Sequence, residues 1–213
     1  VAAGGQGAPL VPVFHQAAFG RQGHTTAVLN LGGMANLTVI GPKLTNDLLG
    51  FDCGPGNVLL DAWCKRHTGQ EFDLNGNWAT GGRVHDELLA AMRAEPYFAL
   101  PAPKSTGRDL FNPPWLDAQL VRSSELKPQD VQATLLELTA SSCVDSVNRY
   151  AVDSKQLLVC GGGAFNLALM SRLQALLPGR EVKNSADAGL QPQQVEAAAF
   201  AWLARKTIYR EAL

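Results

Sequence analysis

The sequence lacks the cysteine and histidine patterns that mark metal sites and disulfide frameworks. Its four cysteines form no C-x-x-C pair, and its four histidines form no H-x-x-x-H pair. We therefore expect reduced, mostly buried thiols in a cytoplasmic protein, and we predict no metal ligand among these side chains. We interpret each histidine as a surface or helix residue. The cysteines are Cys53, Cys64, Cys143 and Cys160.

The sequence also lacks an excess of one charge and any long apolar run. Its 18 basic and 19 acidic residues give a net charge of -1, so neither nucleic acid nor an anionic membrane is indicated as a partner. No apolar run approaches the roughly 20 residues of a membrane-spanning helix. The first residues, VAAGGQGAP, contain neither an initiator Met nor the basic and apolar regions of a signal peptide. We expect the chain to be a piece of a longer protein.

What the sequence does contain is a series of short apolar segments in an order typical of an α/β domain. Its 213 residues, 46% of them hydrophobic, suffice for one large domain or two small ones. The apolar runs predict a β-hairpin over 25–40, strands over 47–52 and 156–160, and an edge strand over 181–183. Helical spacing predicts helices over 56–67, 82–94, 128–152, 167–177 and 192–211. Residues 100–114 are predicted to form an irregular, proline-bounded loop. This order predicts a mixed sheet flanked by helices.

Three glycine-rich turns each follow an apolar strand, in LNLGGMAN, FDCGPGN and LLVCGGGAFN. Glycine lets backbone N–H groups approach a ligand closely, and a helix that starts there adds a positive dipole end. Three such turns in one domain favour a nucleotide phosphate cleft over plain tight turns. The usual motifs are missing, because GGGAFN lacks the third glycine of a dinucleotide fold and no Walker pattern is present. A Rossmann dehydrogenase and a P-loop enzyme are therefore disfavoured.

A few polar residues are candidates for chemistry, each with a structural alternative. Asp52 stands alone at a strand exit, where it is either a turn aspartate or a general base beside an anion site. Glu196 is a first-turn acid that the helix dipole alone would favour. The loop PKSTGRDLFN is either a solvated basic loop or a sugar or phosphate contact. Its donors are Lys104, Ser105, Thr106 and Arg108.

Taken together, VAAGGQGAPLVP, LNLGGMANL, GFDCGPGN, PAPKSTGRDLFN, DVQATLLELTA and VCGGGAFN resemble, in this order, the anhydro-N-acetylmuramic acid kinase family. This is a bacterial peptidoglycan-recycling family of the sugar kinase, Hsp70 and actin superfamily. The resemblance extends from residue 1 to about 205. It implies two ribonuclease-H-like lobes around a nucleotide cleft, with 25–213 as the second lobe and 1–24 as a remnant of a first-lobe loop and linker. It also implies ATP with Mg²⁺, and ring opening of 1,6-anhydro-N-acetylmuramic acid with phosphorylation of O6.

The resemblance implies a role for each matching residue. Asp52 would be the general base that takes a proton from the attacking water. Sugar binding is implied for Glu196, Lys104, Ser105 and Arg108. Contact with the nucleotide is implied for Gly32, Gly33, Asn36, Gly54, Gly161, Gly162, Gly163 and Asn166.

The chain departs from the family pattern at both ends, and this leaves alternatives open. The family's first phosphate loop and its C-terminal tail are missing from this sequence, so we expect the isolated chain to have little activity. An exposed lobe interface would favour a homodimer. The alternatives are a non-catalytic nucleotide-binding lobe of a truncated kinase, an actin- or Hsp70-like scaffold, and a different sugar or acetate kinase. Only the anhydro-N-acetylmuramic acid kinase hypothesis predicts a response specific to the anhydro sugar.

Overall fold

The computed structural model describes residues 10–44, 47–121 and 125–211. Its strands are β1 (Thr26–Leu31), β2 (Met34–Ile40), β3 (Leu48–Pro55), β4 (Gln156–Cys160) and β5 (Glu181–Asn184). Its α-helices are α1 (Pro12–Phe19), α2 (Val58–Thr68), α3 (Asn77–Thr80), α4 (Asp86–Arg93), α5 (Pro96–Ala99), α6 (Pro113–Leu120), α7 (Pro128–Tyr150), α8 (Leu167–Leu176) and α9 (Val195–Ile208). Short 3-10 turns occupy Leu74–Gly76, Gly162–Phe165, Ser185–Ala188 and Pro192–Gln194.

Within the described residues, the five strands form one mixed sheet in the order β3-β2-β1-β4-β5. β2 pairs antiparallel with both of its neighbours, whereas β1, β4 and β5 pair in parallel. β1, β3 and β4 therefore run in the same direction, and their carboxyl ends lie at one edge of the sheet. This topology brings together turns that are far apart in the sequence.

The two faces of the sheet are covered by different helices. On one face, alternate residues such as Leu29, Leu37 and Phe51 join a large core, with α7 packed across β2 and β3. On the other face, Val28 and Ile40 join a smaller core with α1 and α9. The α1–α9 contact includes Phe14 and Trp202, whose rings meet edge to face at 6.0 Å. The period-two alternation of the strands thus separates two hydrophobic layers.

Four helices of the described residues were not predicted from the sequence, namely α1, α6 and the single-turn helices α3 and α5. α1 lies in the stretch that was predicted to be a loop and linker, while the proposed boundary between lobes stays a prediction. α6 interrupts the stretch predicted to be irregular to residue 114. Its start is explained by local chemistry, because Asn112 Oδ1 accepts a hydrogen bond from Trp115 N at 2.9 Å and Pro113 occupies the first turn.

Other helix boundaries differ from the predicted ones for equally local reasons. α4 begins at Asp86 rather than at residue 82, because His85 caps it and accepts a hydrogen bond from Leu88 N. α4 ends at Arg93, and Pro96 then begins α5. α9 begins at Val195, after a separate 3-10 turn over 192–194.

The cysteines are free and buried, as predicted. Among the described residues, no helix has both the length and the apolar character needed to cross a membrane.

Candidate active site

The glycine turns that follow β1, β3 and β4 meet at one edge of the sheet. They border two adjoining cavities, of about 470 Å³ and about 230 Å³, which share Gly32 and Gly162. Asp61, Lys65 and Arg108 line the larger cavity, while Asn30, Glu196 and His15 line the smaller one. The topology therefore builds a cleft from the carboxyl ends of the strands, where open α/β sheets commonly bind ligands.

The turn after β3 is fastened to the hairpin turn between β1 and β2. The amides of Gly56 and Val58 donate to Gly33 O at 2.9 and 3.1 Å, and the amide of Asn57 donates to Gly32 O at 2.8 Å. The first amide of α2 and the two amides before it thus bond to the neighbouring turn. The phosphate contact that the sequence indicates at this helix start stays a prediction.

The turn after β4 is packed tightly against the end of β1. Gly161 has φ of 80°, and a methyl group there would lie 2.4 Å from Asn30 Oδ1. A methyl group at Gly163 would lie 2.5 Å from Leu31 Cβ. A methyl group at Gly33 would meet no close neighbour, because the nearest atom would be Arg108 Nη2 at 3.8 Å. The hairpin turn therefore has the space that close approach of a ligand requires.

A row of polar side chains crosses the sheet just inside these turns. Asp52 on β3 lies opposite Asn36 on β2. Asn36 in turn lies opposite Asn30 on β1, and Asn30 lies opposite Cys160 on β4. Because directly paired residues share a face, all four side chains lie on the side covered by α1 and α9. A break in register between Ala35 and Asn36 places Asn36 opposite Asp52.

The Asp52 carboxylate is held by the loop that carries the PKSTGR sequence. Its Oδ2 accepts hydrogen bonds from Ser105 Oγ at 2.9 Å and from Thr106 N at 3.0 Å. Its main chain is held as well, because the Asp52 amide donates to Lys104 O at 3.0 Å and Tyr97 Oη donates to Asp52 O at 2.7 Å. Asp52 is only 8% exposed. Within the described part of the chain, Oδ1 accepts no hydrogen bond and can serve a ligand.

The Lys104 side chain lines neither of the two cavities, although a sugar-binding role is predicted for it. Its Nζ donates to the carbonyl oxygens of Tyr97 at 3.0 Å and Phe98 at 3.3 Å, and it lies 4.5 Å from the centre of the Tyr97 ring. Burial lowers the pKa of Lys104. The side chain borders a small cavity with Cys53 and Arg149, on the opposite side of β3 from the Asp52 carboxylate.

Two residues with implied nucleotide contacts have local structural partners. Gly54 lies against Phe98, where a methyl group would come within 2.7 Å of Cε1. Asn166 caps α8, because its Oδ1 accepts a hydrogen bond from Leu169 N at 3.0 Å. The roles implied for them by the resemblance stay predictions.

Charged groups of both signs face the two cavities. Burial raises the pKa of Asp61 to about 6, against the opposing charge of Arg108. Burial, and then the charge of Glu196, raise the pKa of the Cys160 thiol to about 12. Glu196 therefore lies near the end of the polar row, although Asp52 and Glu196 are 144 positions apart in the sequence. Neither Asp61 nor His15 could be predicted as a site residue, because a lone acid or histidine on a helix carries no motif.

The fold and this cleft define the class of protein. The chain is similar in fold to the activator of 2-hydroxyisocaproyl-CoA dehydratase from Clostridium difficile, solved with bound ADPNP, with a TM-score of 0.57 and 16% identity over 96% of this chain and 69% of that one. It is also similar to component A of (R)-2-hydroxyglutaryl-CoA dehydratase from Acidaminococcus fermentans, with a TM-score of 0.54 and 21% identity over 89% of this chain and 64% of that one. The chain has the ATPase fold of actin and Hsp70, which confirms the predicted fold class.

The sequence profile of the anhydro-N-acetylmuramic acid kinase family matches residues 1–211, and the chain belongs to this family. The resemblance given by its motifs is thereby confirmed. A protein of that name from Albidiferax ferrireducens is 60% identical over 229 aligned residues, which cover 99% of this chain and 59% of the relative. Another from Variovorax paradoxus is 59% identical, covering 100% of this chain and 57% of the relative. The chain thus spans less than two thirds of the length of these relatives.

Proposed function

We propose that the polypeptide containing this chain is a kinase that uses ATP and water to convert 1,6-anhydro-N-acetylmuramic acid into N-acetylmuramic acid 6-phosphate. Family membership supports the substrate and the reaction. The observation that carries the proposal for this chain is the Asp52 carboxylate, which is buried, held at one oxygen and open at the other. A fixed carboxylate with one free oxygen can act as a general base for a water molecule beside it.

In the proposed reaction, Asp52 accepts a proton from a water molecule that attacks the anomeric carbon. The bond between that carbon and O6 breaks, and O6 takes the γ-phosphoryl group of ATP, with ADP as the leaving group. Ser105 Oγ and Thr106 N donate to Oδ2 and so hold the carboxylate in one orientation. Preorganisation of this kind removes part of the entropic cost of aligning the base with the water.

We propose that the nucleotide phosphates lie along the open hairpin turn at Gly32 and Gly33, beside Arg108. The larger cavity brings that turn and the guanidinium together, and a guanidinium suits phosphate oxygens. The turn over 161–163 borders both cavities and is proposed to face the adenosine side. The bound ADPNP of the Clostridium difficile protein, which has the same fold, is consistent with this use of the cleft.

Mg²⁺ is proposed to arrive with the nucleotide. This ion is commonly held by phosphate oxygens, waters and one or two carboxylates rather than by a cage of protein ligands. No three His, Cys, Asp or Glu side chains converge on one point within 10–44, 47–121 and 125–211. We therefore assign no residue of this chain to the ion, and no step is derived through it.

For the sugar, we propose contacts from Glu196 and Arg108, which line the two cavities, and from Ser105, which holds Asp52. Lys104 is proposed to act on the sugar only indirectly, by fixing the loop through the carbonyls of Tyr97 and Phe98. The lobe boundary at residue 25, a homodimer and a cytoplasmic location stay predictions. For the chain in isolation, a lobe without catalysis is the alternative, because it spans only 57–59% of two relatives.

Replacement of Asp52 by Asn tests the proposal in the polypeptide that contains this chain. Asn keeps the size and can still accept hydrogen bonds, but it cannot take the proton. We expect sugar-dependent ADP formation to fall roughly 10²- to 10⁴-fold in kcat, with ATP affinity unchanged within about threefold. Asp109→Asn, at an exposed acid in the same loop, is the matched control and should keep full activity. Normal kcat in Asp52→Asn would refute the assignment of the base.

A further inference from the structure

His15 is a buried side chain whose two ring nitrogens differ in their surroundings. It lies on α1, is 0% exposed, and places Nδ1 2.9 Å from Thr38 Oγ1 on β2. Its Nε2 is also buried and has no hydrogen-bond partner among the described residues. A buried polar atom without a partner destabilises the fold, so its presence requires an explanation.

The contact with Thr38 decides which nitrogen carries the proton. If the Thr38 hydroxyl donates to Nδ1, the ring proton is on Nε2, and that N–H is the one group left without a partner. If Nδ1 donates instead, both the Thr38 proton and the Nε2 lone pair lack partners, because Thr38 is itself 0% exposed. We assign the first arrangement, since it leaves fewer unsatisfied groups. Burial also lowers the pKa of His15 to about 4, so the ring is neutral at pH 7.

His15 forms part of the wall of the 230 Å³ cavity, together with Glu196 and Asn30. His15, whose Nε2 has no partner among the described residues, and the carboxylate-bearing Glu196 thus line the same cavity. A hydroxyl group fits this pair, because its oxygen can accept from Nε2–H while its proton is donated to the carboxylate. A phosphate fits poorly, because the Glu196 carboxylate would repel it.

We propose that His15 is a substrate-contacting residue of the cleft, whose Nε2–H donates a hydrogen bond to a hydroxyl oxygen of the sugar in the cavity it shares with Glu196. This inference deepens the proposed function and rests on it. It adds a specificity-determining residue from α1, a segment that the sequence placed in a linker. The site selects an uncharged oxygen, since neutral His15 offers a donor without adding positive charge.

Two variants separate ligand contact from a structural role. In His15→Gln the side-chain amide nitrogen reaches the position of Nε2, whereas in His15→Asn it reaches only the position of Nδ1 and can keep the Thr38 contact. Calorimetry on the polypeptide that contains this chain would measure binding of 1,6-anhydro-N-acetylmuramic acid and of ATP to each. We expect His15→Asn to weaken sugar binding roughly 5- to 30-fold, and His15→Gln to restore it to within about threefold of wild type. ATP affinity should not change in either variant.

A third variant, Thr38→Val, keeps the imidazole and removes its orienting hydroxyl, so sugar binding should weaken less than in His15→Asn. If wild type and His15→Asn bind the sugar equally, this inference is wrong while the proposed function stands. Equal losses for sugar and ATP, or no recovery in His15→Gln, would show a structural role and overturn it. If the wild-type polypeptide binds ATP but not the sugar, the proposed function and this inference both fail.

Discussion

Replacement of Gly56 by Ala should separate two turns of the cleft. Gly56 lies between β3 and α2, and a methyl group there would be 2.4 Å from Gly32 O and 3.2 Å from Gly33 O. The hairpin turn must move by about 1 Å to restore normal contact distances. That movement would break three amide hydrogen bonds from residues 56–58 to the turn. At about 1 kcal/mol each, the loss is about 3 kcal/mol.

For a domain of this size, such a loss should lower Tm by roughly 6 to 12 °C. Thermal unfolding followed by circular dichroism measures the shift. Gly33→Ala is the matched control in the partner turn, because its nearest new contact is the flexible Arg108 at 3.8 Å, and its Tm should stay within about 2 °C of wild type. If Gly56→Ala unfolds at the wild-type temperature, the two turns are not fastened as the hydrogen bonds indicate.

Two further predictions concern pH. Burial lowers the pKa of His15 from 6.5 to about 4. As the pH falls, His15 therefore takes up a proton in the unfolded chain before it does so in the folded chain. The free energy of unfolding, which is at its full value above pH 6.5, should fall by about 3 kcal/mol as the pH falls to 4. Urea titrations at pH 7 and pH 4 should show this part of the loss in wild type and not in His15→Gln. Burial raises the pKa of Asp61 from 3.8 to about 6, so folding favours the protonated carboxyl. The contribution of Asp61 to the free energy of unfolding is therefore fully present below pH 3.8 and is lost as the pH rises through 6. Asp61→Asn should therefore be more stable than wild type at pH 8, by about 1 kcal/mol after solvent screening is allowed for, and no more stable below pH 4.

The strongly periodic elements could be predicted from the sequence. β1, β2 and β4 follow from apolar runs bounded by glycine, and α7 follows from helical spacing with Pro128 in its first turn. α6 was not predicted, because two consecutive prolines, Pro113 and Pro114, also indicate a loop. The signal was present, since an Asn before Pro is a common way to begin a helix.

The arrangement of the cleft could be predicted only in part. The sequence pointed to Asp52 and to the glycine turns, but the alignment of Asp52 with Asn36 and Asn30 depends on strand register and on one break in pairing. The position of the Lys104 side chain could not be predicted either, because residue spacing does not show on which side of β3 a long side chain lies. His15 acquires its partner and its cavity only through tertiary packing.

The loop that holds Asp52 also covers an outer strand. β3 is at the end of the sheet, where unpaired backbone groups can template association with another chain. The carbonyl of Lys104 accepts a hydrogen bond from the Asp52 amide on that outer side. The same few residues therefore orient a carboxylate and occupy part of a sheet edge, so a substitution in this segment would change both the carboxylate and the edge.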